Sequence, residues 1–306
     1  MFPSSVDPPR AAQTAAKARW ASPQEAAAPA FVLSGVCYAY GPGVVALRDV
    51  SLTIGQGEKV AILGANGCGK STLIKLLGGL IHPQSGVITA CGEPLTEVAL
   101  RGEAFAYRFR RRVGFIFQNS DAQLFSPTVR EEIAFGPLQM GLPRVEIERR
   151  IADLCTLLDL NSLLDRPPFQ LSGGEKKKVA IASVLVTNPD VLLLDEPTNG
   201  LDPRSQHWLV DLLVKLHAAG KTLITATHDL SIVPEIADRV LVLGEDHTLA
   251  AEGPTHAILS DTDLLLRVNL IHEHWHWHGS LYHSHPHHHD AAHDHTHDGA
   301  DSQPHP

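Results

Sequence analysis

Long apolar runs are missing from this 306-residue chain. The longest largely apolar stretch, Val179 to Val186, falls far short of the ~20 residues a membrane helix needs. The first thirty residues lack the apolar centre of a secretory signal. They are rich in Ala and Pro with few acids, and predict a disordered extension over 1–30. Cysteine is scarce. Cys37, Cys68, Cys91 and Cys155 are widely spaced with no C-x-x-C pair, which speaks against a disulfide framework or a cysteine zinc site. That usage points to reduced thiols and a cytosolic address. Positive charge is also short: 25 Lys and Arg against 34 Asp and Glu give a formal net charge of −9. Nucleic acid is therefore not expected as a partner. Five of the acids lie beyond residue 271, where there is no Lys or Arg at all. What the chain does have is 43% hydrophobic residues, enough to bury a sizeable core.

Gly64-Ala65-Asn66-Gly67-Cys68-Gly69-Lys70-Ser71 fits the phosphate-cradling pattern G-x-x-x-x-G-K-[ST] at every fixed position. It follows the strand-like run Val60-Ala61-Ile62-Leu63 and precedes Thr72-Leu73-Ile74, which opens a helix. The glycines let backbone N–H groups converge on phosphate oxygens, and the helix adds its positive end. Lys70 is expected to reach the β- and γ-phosphates, and the Ser71 hydroxyl to ligate Mg²⁺. The segment from Gly64 through Thr72 is thus the expected nucleotide-binding surface. Cys68 inside it is either an inert small residue or a point where alkylation blocks the site.

Val191-Leu192-Leu193-Leu194-Asp195-Glu196 is a continuous apolar run ending in two acids. Such a run predicts a central parallel strand buried on both faces. Ligand sites in open parallel sheets lie at the carboxyl ends of the strands. Asp195 is therefore expected to hold Mg²⁺, and Glu196 to polarise the attacking water.

Leu171-Ser172-Gly173-Gly174-Glu175 places a Ser and two glycines at a predicted helix start. Alone, it is an ordinary cap. Between a phosphate loop and an acidic strand end, it makes the chain resemble the nucleotide-binding subunit of ATP-binding-cassette (ABC) transporters. Ser172, Gly173 and Gly174 match the family signature. The resemblance implies further roles. Tyr40 sits where the family stacks an aromatic on adenine. Gln118 matches the Q-loop glutamine that senses Mg²⁺ and γ-phosphate, Asp202 the D-loop acid, and His228 the switch histidine. Lys70, Gln118, Glu196 and His228 are then the catalytic set. Glu175 is a departure, since many members carry Gln there. The resemblance covers about Phe31 to Ile271.

The implied fold is α/β: a P-loop NTPase core with a mostly parallel sheet flanked by helices, N-terminal antiparallel strands, and an inserted helical subdomain over about 119–180. Local patterns agree. Phe31 to Glu58 reads as two strands around Gly41-Pro42-Gly43, and Gly86 to Gly92 as another strand. Ile147, Ile151, Leu154 and Leu158 share one helical face, and Thr128 opens a helix as a cap. Residues 172–245 alternate helix and strand, which implies a parallel sheet. There is no internal repeat and no long heptad run, which argues against a coiled-coil repair ATPase and a tandem two-cassette translation factor.

The run Gln118-Asn119-Ser120-Asp121-Ala122-Gln123-Leu124-Phe125 and on to Pro137 is similar to ATP-binding subunits of energy-coupling-factor importers, especially the cobalt and nickel members. Those usually have Pro where this chain has Ser120. In that family the region faces the membrane subunit, which makes Leu124, Phe125 and Phe135 either contacts for it or core of the helical insert.

Residues 272–306 hold 13 histidines. His272, His274, His276 and His278 are spaced by two, His287, His288 and His289 form a run, and His293, His295 and His297 alternate with polar residues. Neutral imidazole suits nickel, cobalt, copper and zinc. The segment is expected to be a disordered tail that binds transition-metal ions, or else a solvated low-complexity tail with no ligand.

The expected protein is an ATPase that uses ATP and Mg²⁺ on the cytoplasmic face of a membrane. It energises import of cobalt or nickel through separate integral membrane subunits. The family pairs two such chains, identical or different, head to tail. The alternatives are an ATPase of another transporter whose tail only buffers metal, and a metal-buffering protein with a degenerate cassette.

Overall fold

The computed structural model describes the backbone of residues 29–278 and 281–288, and side chains as far as Ile271. Apart from Pro29 and Ala30, the N-terminal extension lies outside the described residues. Two long strands, β1 (Pro29–Ala39) and β2 (Val45–Gly55), come first and pair antiparallel. The buried strand β3 (Lys59–Leu63) leads into the phosphate loop and α1 (Lys70–Leu77). β4 (Ser85–Ala90) then pairs with β1, and β5 (Glu93–Pro94) with β4, so the antiparallel sheet has the order β2-β1-β4-β5.

α2 (Glu97–Arg101) and the basic α3 (Glu103–Arg112) lead to β6 (Val113–Ile116). Arg108, Arg110 and Arg111 are exposed, as expected of a solvated face. The helical insert follows as α4 (Ser120–Gln123), α5 (Val129–Gln139), α6 (Arg144–Leu158) and α7 (Gly173–Leu185). Thr128 caps α5, its hydroxyl accepting from the Glu131 N–H. α6 buries Ile147, Ile151, Cys155 and Leu158, so the apolar face expected from the sequence packs inward.

The chain then alternates: β7 (Val191–Asp195), α8 (Pro203–Ala218), β8 (Thr222–Ala226), α9 (Val233–Ile236), β9 (Arg239–Leu243) and β10 (Leu249–Pro254). The second sheet has the order β10-β9-β3-β8-β7-β6, parallel except for β10. Every residue of β7 and β8 is buried. Helices cover both faces, which explains why these strands are uninterrupted apolar runs. One core lies between the antiparallel sheet, α1 and the parallel sheet. A second joins the opposite face to α5, α6, α7 and α8. A third forms under α10 (Thr255–Ser260) and α11 (Thr262–Arg267). The α/β architecture with antiparallel N-terminal strands and a helical insert is the one the sequence predicts.

Within the stretch expected to be disordered, the described residues 272–278 and 281–288 lie in strands. β11 (Ile271–His278) and β12 (Leu281–His288) pair antiparallel. The physical reason is a period-two pattern, histidine alternating with other residues, which suits a strand although the composition suggests none. The register sets His272 opposite His287, His274 opposite His285, and His276 opposite His283, while His278 faces Leu281. His289, His293, His295 and His297 lie outside the described residues.

Candidate active site

Four parallel strands deliver their carboxyl ends to one edge. β3 runs into the phosphate loop, β7 ends at Asp195, and Gln118 and His228 follow two residues beyond β6 and β8. Because Ile116 pairs with Leu194 and Asp195 with Ala226, Gln118, Asp195 and His228 come to neighbouring positions. This edge is where open parallel sheets place ligands.

The loop's shape requires glycine. Gly69 has φ 113°, and a Cβ there would overlap the carbonyl oxygen of Ala46. Gly64 has φ 151°, and its Cβ would lie 2.6 Å from the Leu243 carbonyl oxygen. No side chain caps α1, so its first N–H groups remain for an anion. Lys70 is buried, its Nζ donating to the carbonyl oxygens of Gly64 (2.8 Å) and Ala65 (3.3 Å). Burial pushes the Cys68 thiol up, which keeps it neutral and favours the inert role.

Asp195 is buried, and the Ser71 hydroxyl donates to its Oδ1 at 2.8 Å. Burial pushes this carboxyl above its usual range, while the Ser71 hydrogen bond pulls the other way. A buried carboxylate beside a hydroxyl is a hard-oxygen donor set, which fits Mg²⁺ and not a soft metal. Glu196 has φ 44°, a left-handed conformation that costs of order 1–3 kcal/mol in a non-glycine residue and clusters at active sites. Its N–H donates to the Ala226 carbonyl at 2.9 Å, which helps hold that conformation. The carboxylate sits between Lys70 Nζ (3.5 Å) and His228 Nδ1 (3.0 Å). Tyr40 shares a hydrogen bond with the Thr72 hydroxyl at 3.2 Å, and its ring is exposed beside the start of α1.

Ser172, Gly173 and Gly174 form a separate cluster. Ser172 caps α7, and its N–H and hydroxyl donate to Glu175 Oε2 at 2.8 and 2.9 Å. The Glu175 N–H returns a bond to the Ser172 hydroxyl at 3.4 Å, completing a capping box. These bonds hold the Glu175 carboxyl below its usual range. They also give Glu175 a physical role where many family members have Gln. A Cβ on Gly174 would lie 2.9 Å from Ser205 Oγ, and that hydroxyl donates to Asp202 Oδ2 at 2.7 Å. Asp202 caps α8, accepting from the Arg204 and Ser205 N–H groups. Signature and Asp202 thus meet through Ser205, which the sequence reading missed. Among the described residues, no hydrogen bond or ion pair joins this cluster to Lys70, Asp195 or Glu196.

Two more residues escaped the sequence reading. Lys177 is 3% exposed, and its Nζ donates to the carbonyl oxygens of Phe117 (3.3 Å) and Gln118 (3.0 Å). Burial pulls its ammonium down to about 8, with Asp195 opposing the shift. Gln123 accepts from the Phe117 N–H at 3.1 Å and donates to the Ala180 carbonyl at 2.8 Å. The available signal was a lysine three and four residues before Ala180 and Ile181, on the apolar face of a helix. Of the three apolar residues near the Q loop, Leu124 packs on the core. Phe125 and Phe135 stay 67% and 43% exposed and meet edge to face, with centroids 4.9 Å apart.

A glycine loop on a helix start, facing strand-end acids, defines a P-loop ATPase. Comparison with known proteins narrows the class. The family described as ABC transporter matches residues 47–199. The nickel import ATP-binding protein NikO of Rhodobacter capsulatus is 51% identical over 79% of this chain and 96% of its own length. The energy-coupling factor transporter ATP-binding protein EcfA of Methanothermobacter thermautotrophicus is 41% identical, over 78% of this chain and 75% of its own. Among solved structures, cbiO1 of Clostridium perfringens, part of the ABC transporter complex cbiONQ, is 37% identical with a TM-score of 0.68. That likeness covers 79% of this chain and 95% of cbiO1. An ATP-binding cassette captured as a dimer after hydrolysis, with ADP and Pi bound, is 28% identical with a TM-score of 0.66. Here 74% of this chain and 98% of that one are covered. The chain belongs to the ABC transporter family and is an ATP-binding ATPase. Among the described residues no helix is long and apolar enough to cross a membrane.

Proposed function

We propose that this ATPase energises import of a transition-metal cation, nickel or cobalt, through separate integral membrane subunits on whose cytoplasmic side it sits. The likeness to the nickel import protein carries the substrate class. The exposed Phe125–Phe135 pair beside the Q loop supports a docking surface for the membrane subunit.

Lys70 and the loop N–H groups from Gly64 to Thr72 bind the phosphates, and Tyr40 stacks on the base. Ser71 and Asp195, with Gln118, would hold Mg²⁺. Bound there, the ion would supply charge neutralisation at the phosphates. Glu196 takes a proton from the attacking water, and His228 orients that carboxylate and meets the γ-phosphate. The separation of Ser172–Gly174 from Lys70 supports a shared site: the signature of one chain, with Asp202, closes on the nucleotide of a second. ATP then joins two chains, identical or different, and hydrolysis releases them.

The tail binds the same class of metal. Register supports this, because three cross-strand histidine pairs fall at alternate positions of β11 and β12. Copurification from native membranes tests the whole reading. Membrane subunits whose vesicles take up nickel or cobalt in an ATP-dependent way are expected. Uptake of an organic solute without metal uptake overturns the substrate class and leaves the tail as a metal buffer.

A further inference from the structure

Lys177 is a buried charge with no part in the chemistry above. Its helix, α7, begins at Ser172, the signature residue. Its ammonium reaches out of the helix to two backbone carbonyls, those of Phe117 and Gln118. These residues lie just past the end of β6, where the strand pairing stops at Ile116. A hydrocarbon side chain could fill the same space without desolvating an ammonium. A lysine there offers three donors to carbonyls that the sheet no longer satisfies.

Gln123 holds the N–H of the same residue, Phe117, through its carbonyl, and its amide donates to Ala180 and Ser183, both on α7. At the exposed edge, Lys176 Nζ pairs with Asp121 at 2.6 Å. The segment from Phe117 to Gln123 is therefore fastened to α7 through Lys177, through Gln123 and through the Lys176–Asp121 pair, and both polar groups of Phe117 are engaged, its carbonyl by Lys177 and its N–H by Gln123.

We infer that Lys177 and Gln123 form a clamp that makes the Q loop and the signature helix one rigid body, so that displacement of Gln118 by nucleotide moves Ser172. Lys177 is a positioning residue: its ammonium bonds the Phe117 and Gln118 carbonyls and acts through them. The inference rests on the roles proposed for Gln118 and Ser172. The capping box at Ser172 stiffens the far end of the lever, and the path from Gln118 to Ser172 runs through five residues of one helix. The clamp specifies coupling between the site a chain uses for its own nucleotide and the surface it offers to its partner chain.

The test uses Lys177→Met, which keeps volume and removes the charge, together with Lys177→Arg and Gln123→Leu. In the full chain, Lys177→Met is expected to bind ATP as a monomer within ~3-fold of wild type. Dimerisation by ATP should require at least tenfold more protein, and kcat should fall by a similar factor with KM little changed. Lys177→Arg should restore most of both. Amide exchange at 117–119 should rise at least tenfold in Lys177→Met and in Gln123→Leu, without nucleotide present. In a Gln118→Ala background, Lys177→Met should add nothing further, since the two act in series.

Unchanged exchange at 117–119, or wild-type dimerisation by Lys177→Met, overturns the clamp. Additive effects with Gln118→Ala also overturn it. If Gln118→Ala alone leaves dimerisation intact, the role given to Gln118 fails, and the exchange measurement still decides whether the clamp exists. Should Lys177→Met not fold, Gln123→Leu carries the same outcomes.

Discussion

His228 places Nδ1 3.0 Å from both carboxylate oxygens of Glu196. Both carboxylate oxygens are thereby held at one ring nitrogen, while Lys70 approaches from the phosphate loop at 3.5 Å. Glu196 is held at both its backbone and its side chain, an arrangement suited to a group that must orient one water. Glu196→Gln is expected to keep ATP affinity and lower turnover by ~10²–10⁴-fold, the usual cost of losing a positioned base. Single-turnover hydrolysis measures it, and a rate within a few-fold of wild type removes Glu196 from that role.

Gly69→Ala is expected to abolish nucleotide binding while leaving most of the fold intact. The new methyl would collide with the Ala46 carbonyl, which is backbone and cannot swing aside, at a residue whose φ is 113°. The phosphate loop would open instead of the sheet. Fluorescent-nucleotide titration with circular dichroism checks both halves. Wild-type ATP affinity in this variant sinks the argument.

What could be read from the sequence was what depends on local backbone demands. The phosphate loop needs its glycines, and a buried parallel strand needs an apolar run, so Gly64–Ser71 and Val191–Glu196 are legible as strings. The Lys177 grip was not, because its meaning lies in two carbonyls 60 and 59 positions away, and a run of three lysines reads as a solvated face. Ser205 was missed for a similar reason: only the packing of α8 on α7 brings it to Gly174. The pairing of β11 with β12 was hidden by composition, although the alternation that builds it is plain in His272-Glu273-His274-Trp275-His276.

Acid should loosen the signature. The Glu175 carboxyl is held low by the Ser172 N–H and hydroxyl, so the bonds stabilise the folded helix start while Glu175 is ionised. Their contribution is present above the ordinary glutamate value of ~4.3 and is lost as pH falls through the lower folded value. Amide exchange at 173–176, corrected for intrinsic rates, is expected to be flat from pH 7 to 5 and to rise below ~4. Glu175→Gln should lack that step. A step that persists in the variant shows that another group is responsible.

Ser172→Arg should leave monomer ATP affinity intact, because Ser172 makes no contact with Lys70 or Asp195 in its own chain, and should abolish ATP-induced dimerisation. Bulk and charge would enter the surface where the γ-phosphate of the second chain docks. Light scattering with Glu196→Gln as background, to keep ATP uncleaved, reads the outcome. A persistent ATP-dependent dimer contradicts the shared site.

Truncation after Ile271 isolates the tail. The cassette's chemistry ends well before that point: His228 is the last residue of the site, and Ile271 itself is packed in the third core. Basal ATP hydrolysis of the truncated chain is therefore expected near wild type. The full chain should take up more than one nickel or cobalt ion, since 13 histidines can form several interchangeable sites. The register pairs His274 with His285 and His276 with His283, so Ala at these four positions should remove the tighter part of that binding. Protons compete for neutral imidazole, whose ordinary pKa is ~6.5, so uptake should be strong at pH 7.5 and fade toward pH 5. Calorimetry on the full, truncated and four-alanine chains at both pH values separates the cases. Equal uptake by the truncated chain rejects the tail as the site. Full uptake by the four-alanine chain moves it to the remaining pair, His272 and His287, or to His289, His293, His295 and His297. Absence of uptake in the full chain leaves the metal substrate resting on likeness to the nickel importers alone.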